Sequence, residues 1–248
     1  MLQRLSSFAV PEHSSNARVG AAIESHSEAC IGGGTIDYKN IDLSTDNTTM
    51  SFTTESNNCI DETGVMITGK LNYQATGHNL GTSSSVLTKT TIIFSSRTTM
   101  SQFGQQIIMY EGGSWFYEYN DATGNDTNLT TNFTYTFNGK SYANMNFKSH
   151  QVEANTTTTE TFYSGKVYFG LEKNQPRFFD VNTSYDHGLT PIVWHENDEN
   201  RSIYTSGTMK FKGSSNQGLT INITPNNNFT VTVDSSGASR SRVLSPFF

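Results

Sequence analysis

The chain is poor in charge, in cysteine and in long apolar runs. Lys, Arg, Asp and Glu make up 15% of its 248 residues and hydrophobic types 34%, against about 25% and about 45–50% in ordinary globular proteins. No window approaches the roughly 18 consecutive apolar residues of a membrane-spanning helix, so no such segment is expected. Acidic residues outnumber basic ones by 22 to 16, for a net charge of −6. Nucleic acid, whose phosphates demand a basic face, is therefore excluded as a partner. Two cysteines are too few for a zinc cluster. The strong helix formers Ala, Leu, Glu and Lys are scarce, which argues against a helical protein.

What fills the gap is polar and uncharged. The 29 Ser, 34 Thr and 24 Asn account for 87 residues. Such a chain can be disordered, but disorder goes with few aromatics and high net charge. Here 16 Phe, 11 Tyr and 2 Trp bring aromatics to 12%, and they recur at regular intervals. Residues 30–235 therefore read as folded, in one domain or two closely packed ones. Residues 1–29 show no sustained period and read as an N-terminal arm, either flexible or strand-donating. Its segment Ala17–Ile23 could add to a neighbour's sheet edge or simply fray. Met1 is not followed by a basic stretch and an apolar run, so no signal peptide is expected. Residues 236–248 read as a polar C-terminal tail.

Period-two alternation dominates the folded region. Phe133, Tyr135 and Phe137 alternate with Asn132, Thr134 and Thr136; Leu219, Ile221 and Ile223 share a face, as do Phe229, Val231 and Val233. A strand needs this rhythm because successive side chains point to opposite faces of the sheet. The connections are turn-like. Asn138-Gly139 is the strongest local hairpin signal, Glu111-Gly112-Gly113 separates two further runs, and Pro225-Asn226-Asn227 joins the last two. About twelve to fourteen strands are expected. One-sided alternation fits antiparallel sheet with one wet face, with Thr, Ser and Asn serving that face without charge. The fold class is all-β: a large antiparallel meander closing as a sandwich, a barrel or a broad curved sheet.

Cys30 and Cys59 lie 29 positions apart and flank the first strand pair. They are either two buried thiols or a disulfide, and the disulfide is preferred. Such a bridge persists in oxidising compartments. The segment Cys30-Ile31-Gly32-Gly33-Gly34, a strand, Asn58-Cys59, and then Gly64-Val65-Met66-Ile67-Thr68-Gly69 resembles a pattern in secreted proteobacterial proteins. Those begin Cys-x-Gly-Gly, run through a strand ending in Asn-Cys, and continue with Gly-Val-x-Leu-x-Gly into Thr-rich strands. The resemblance covers about 45 residues and implies an exported β-rich protein outside the cytoplasm, in the periplasm, on the cell surface or secreted. It implies no mechanism.

Catalytic spacings are absent. There is no H-E-x-x-H, G-x-S-x-G, G-x-G-x-x-G or P-loop. His195-Glu196 could form an acid/base pair, but strand neighbours point to opposite faces, so a surface His and a solvated Glu are preferred. Asp121, Asn125 and Asp126, with Asp180, Asp186, Asp198 and Glu199 elsewhere, offer oxygens without a calcium-loop spacing, and turns favour Asp and Asn anyway. Nine N-x-[ST] sequons, against about six by chance, are weak evidence for glycosylation. The candidate ligand-binding residues are Trp115, Tyr117 and Tyr119, which share one face of Trp115–Tyr119 with Phe116 on the other. With Phe116 inward, they would form an outer platform for a glycan or lipid; the structural alternative is a central buried strand.

These readings converge on a non-enzymatic exported surface or envelope protein. It would act through structural or adhesive contacts, with self-assembly into a homo-oligomer as one form of them. The alternative is a carrier enclosing a lipid or other apolar ligand, with Phe133, Tyr135, Phe137, Phe147 and Phe169 lining the interior or filling a core. A hydrolase or lyase built on dispersed carboxylates comes third. No cofactor and no metal are expected.

Overall fold

An alternating chain can bury one face and satisfy its backbone only by pairing edge to edge. The computed structural model of the chain does this throughout. It describes residues 25–62, 64–102, 104–120, 126–155, 158–171, 177–183, 190–196, 202–213, 217–225, 228–235 and 238–244. All seventeen elements among them are strands. Contacts divide the chain into two units, Met1–Gly124 and Asn125–Phe248.

The first unit contains β1 (His26–Ala29), β2 (Thr35–Leu43), β3 (Thr49–Ile60), β4 (Met66–His78), β5 (Val86–Phe94), β6 (Thr98–Gln102), β7 (Gln105–Met109) and β8 (Ser114–Tyr119). Strands β1 to β5 form an antiparallel meander, and β8 pairs with the free edge of β5. The registers align the apolar positions in rows across it. One row runs Tyr38, Thr54, Leu71, Phe94; the next runs Phe52, Tyr73, Ile92, Trp115. All eight are buried, and full burial of each large apolar side chain contributes about 1.5–3 kcal/mol. The opposite face carries polar pairs: Lys39 Nζ to Glu55 Oε2 at 2.6 Å, Thr53 Oγ1 to Asn72 Oδ1 at 3.0 Å, and Lys89 Nζ to Glu118 Oε1 at 3.3 Å. This is the wet Thr/Asn face that the composition demands.

Long strands change partner part-way, and glycine makes this feasible. Residues Met66–Thr68 of β4 pair with β6, whereas Leu71–His78 pair with β5. Between them Gly69 has φ of 147°, and a Cβ there would lie 2.7 Å from the Thr98 Cα. The device recurs at Gly207, with φ of 139° and Ile192 Cα equally close. Other residues meet both strain and collision at such positions.

The second unit contains β9 (Asp126–Phe137), β10 (Lys140–Asn155), β11 (Thr158–Phe169), β12 (Arg177–Asn182), β13 (Ile192–Glu196), β14 (Ser202–Gly213), β15 (Gly218–Thr224), β16 (Asn228–Ser235) and β17 (Ala238–Leu244). Asn138 and Gly139, at φ of 49° and 74°, turn β9 into β10, as the sequence predicts. Strands β12 and β13 lie end to end, each pairing with β11 on one side and β14 on the other. From β14 to β17 the chain meanders antiparallel.

Strands also occupy segments expected to be arm and tail. His26–Ala29 pairs with β2, where the His26 ring stacks on Tyr38 at 4.8 Å between centroids. Ala238–Leu244 pairs with β16. Both are short sheet additions held by backbone bonds rather than by an apolar rhythm, so alternation does not reveal them. Ala17–Ile23 lies outside the described residues.

Candidate functional site

The two cysteines form a disulfide, with Cα atoms 5.4 Å apart. Its surroundings explain the glycine run that follows Cys30. The chain reverses there through Gly33 N donating to Cys30 O at 3.0 Å and Cys30 N donating to Gly34 O at 3.1 Å. Gly32 N then donates to Ile60 O, and Ile60 N to Gly33 O, both at 2.9 Å. A Cβ on Gly34 would collide with the Asn58 carbonyl, so the backbone passes too close for a side chain. Cys59 is buried, whereas Ile31 at the tip is 83% exposed. The bridge therefore ties the turn before β2 to the end of β3.

Strand β8 carries the aromatics read either as an outer platform or as a central buried strand. The structure turns them inward, against the platform. Trp115 and Tyr117 are 1% and 4% exposed, and Tyr119 is half-buried while Phe116 takes the other face. The cause is register. Trp115 lies opposite Ile92 in the buried row, and Tyr117 lies opposite Thr90 two residues further on. Trp115 meets Phe94 edge-on at 5.2 Å, and Phe52 stacks on Tyr73 at 4.7 Å. These rings are packed on one another, as aromatic pairs prefer.

Burial also sets the phenols' ionisation. It pushes Tyr73 and Tyr117 well above the ordinary range, and Tyr38 up to about 12 with the Glu28 carboxylate adding to the effect. In the second unit Tyr163 rises to about 12 from burial first and its neighbour Tyr204 second. A folded pKa raised above the unfolded value near 10 means that the neutral phenol stabilises the fold fully below about pH 10. That contribution disappears as the pH rises through about 12. Phenolate absorbance followed against pH should therefore lag for these tyrosines and then rise together with loss of the β-sheet circular dichroism signal. A smooth titration centred near pH 10, with the sheet intact, would contradict this burial.

A second aromatic group stands in the second unit, assembled from strands far apart in sequence. Tyr135 on β9 lies opposite Tyr142 on β10, which lies opposite Phe169 on β11. Phe169 stacks on Phe179 of β12 at 4.8 Å, and Phe179 meets Phe211 of β14 edge-on at 6.2 Å. Further along the same face Phe133 and Val181 are buried, but here Phe179 is 37% exposed and its four companions are half-buried. Arg177 lies opposite Phe169 and Lys140 opposite Phe137; both cations are exposed. Alternation in β9 and β11 marks Tyr135 and Phe169 as inward. Only the register across β10 to β14 shows that they join Phe179 and Phe211 in a half-open band.

The remaining sequence candidates are dispersed. His195 and Glu196 are successive residues of β13, opposite Ile203 and Ser202. Asp126 opens β9 and contacts the His150 ring, Oδ1 to Nε2 at 2.8 Å. Asp180 lies between Lys166 and Lys212 in the ladder. Asp121, Asn125, Asp186, Asp198 and Glu199 lie outside the described residues. Among the described residues, no three His, Cys, Asp or Glu stand together as metal ligands, and no helix is long and apolar enough to cross a membrane. Comparison with protein-family models, curated proteins and solved structures found no match to the chain.

Proposed function

We propose that the chain is an exported β protein of the cell surface or envelope that acts through structural or adhesive contacts, without turning over a substrate. The observation that carries this reading is the Cys30–Cys59 bridge, built into the start of the first sheet with Cys59 buried. A bridge of this kind belongs to an oxidising compartment. The aromatics of the first unit pack on one another and supply stability. The half-exposed band of the second unit supplies a surface with which to make contacts.

Treating intact producing cells with a protease tests the compartment. The protein should be degraded while a cytoplasmic marker survives, and alkylation before lysis should leave both cysteines unlabelled. Survival of the protein together with two labelled thiols would sink the reading.

A further inference from the structure

The half-open band of the second unit lies at one end of its sheet, where the chain reverses four times. The β9–β10 turn, and the connections from β11 to β12, β14 to β15 and β16 to β17, all fall at this end. Beside the five rings the registers place Val167, Leu219 and Val233, the last 45% exposed. In a chain of net charge −6, the charged residues that the strand registers place at this end of the face are cations, Lys140 and Arg177. The same register sets Arg240 of β17 opposite Val233. The opposite face mixes signs, with Lys166 and Lys212 flanking Asp180.

This chemistry selects among occupants. A sugar platform needs accessible amide or carboxyl side chains beside its rings to bind hydroxyls. Here the amide next to Tyr142 on this face, Asn144, is buried and donates to Thr131 Oγ1 at 3.4 Å, and the exposed charged neighbours of the rings are cations. A second copy of an acidic chain would gain from the rings but would find only Lys140 and Arg177 to meet its carboxylates. An anionic lipid surface matches both features. Aromatic rings settle at the boundary between headgroups and acyl chains, and Lys and Arg reach the phosphates while their stems stay on apolar ground.

We propose that this end of the second unit docks on an anionic lipid surface. Tyr135, Tyr142, Phe169, Phe179 and Phe211 enter the headgroup boundary, and Lys140 and Arg177 sit over the phosphates. The inference deepens the contact-making role above by naming the partner, and its test stands apart from the compartment test. A protein that is exposed on cells yet ignores lipid removes this inference alone.

The experiment is flotation of the full chain with vesicles of phosphatidylcholine, with and without phosphatidylglycerol. Binding should require phosphatidylglycerol and weaken as salt is raised. K140Q/R177Q should lower partitioning about 25-fold, about fivefold for each cation. F169S/F179S should lower it at least about tenfold through lost apolar insertion, while K148Q/K210Q on the opposite face should leave it unchanged. Circular dichroism of each variant confirms the fold; if F169S/F179S does not fold, K140Q/R177Q decides. Equal binding to neutral vesicles, no binding, or indifference to K140Q/R177Q would overturn the proposal. So would capture by a glycan in place of lipid, or lipid-free dimerisation that F169S/F179S abolishes.

Discussion

Trp115→Ala should lower unfolding free energy by about 3–5 kcal/mol, the range for removing a buried large aromatic. The ring is 1% exposed, lies opposite Ile92 and meets Phe94 edge-on. Its loss leaves a void bounded by residues already paired in adjacent strands, which cannot close in without breaking the ladder. Denaturant unfolding of the variant checks this, with Phe116→Ala as the control. Phe116 occupies the other face of the same strand and is half-buried, so its truncation should cost far less. Equal costs at the two positions would mean that β8 is not seated as described. A Trp115→Ala protein that remains as stable as its parent but loses binding to a partner would restore the outer-platform reading.

Breaking the bridge ranks next. Replacing both cysteines by serine should cost about 3.5 kcal/mol, the chain-entropy value for a loop of 29 residues. The effect acts mainly on the unfolded chain, which the bridge restricts. The midpoint of denaturant unfolding should therefore fall, and the dependence on denaturant should steepen as the unfolded state expands. Reduction of the parent protein should reproduce both changes. A parent whose unfolding curve does not move on reduction would show that the first strand pair holds without its cross-link. The serine at position 59 adds the cost of a buried hydroxyl to this loss, because Cys59 is 2% exposed; reduction of the parent protein carries no such addition.

Much of the fold is legible in the sequence because a half-wet sheet writes its two faces into alternate positions. The Phe133, Tyr135, Phe137 rhythm and the Asn138-Gly139 turn locate β9, its turn and the start of β10. The pairing of Cys30 with Cys59 is also foreseen, from composition and compartment. The orientation of β8 is not. Trp115, Tyr117 and Tyr119 alternate equally well with either face inward, and the choice rests on a non-local partner, β5, whose buried row admits Trp115 beside Ile92. The exposed band in the second unit is hidden for a related reason. Tyr142 and Phe179 look like ordinary strand residues until register sets them beside Phe169. Strands β1 and β17 escape because HSEA and ASRSRVL carry no apolar alternation.

The end-to-end placement of β12 and β13 has a kinetic consequence. Both are hydrogen-bonded on one side to a strand made before them and on the other to β14, made after them. β13 is not locked until residues up to Ser206 have emerged, nor β12 until Gly213 has, so this part of the sheet assembles through contacts distant in sequence, a slow class of event. Until then the outer edge of β11 stays open to another chain. Crowded, half-finished molecules should stick to one another there before they stick anywhere else.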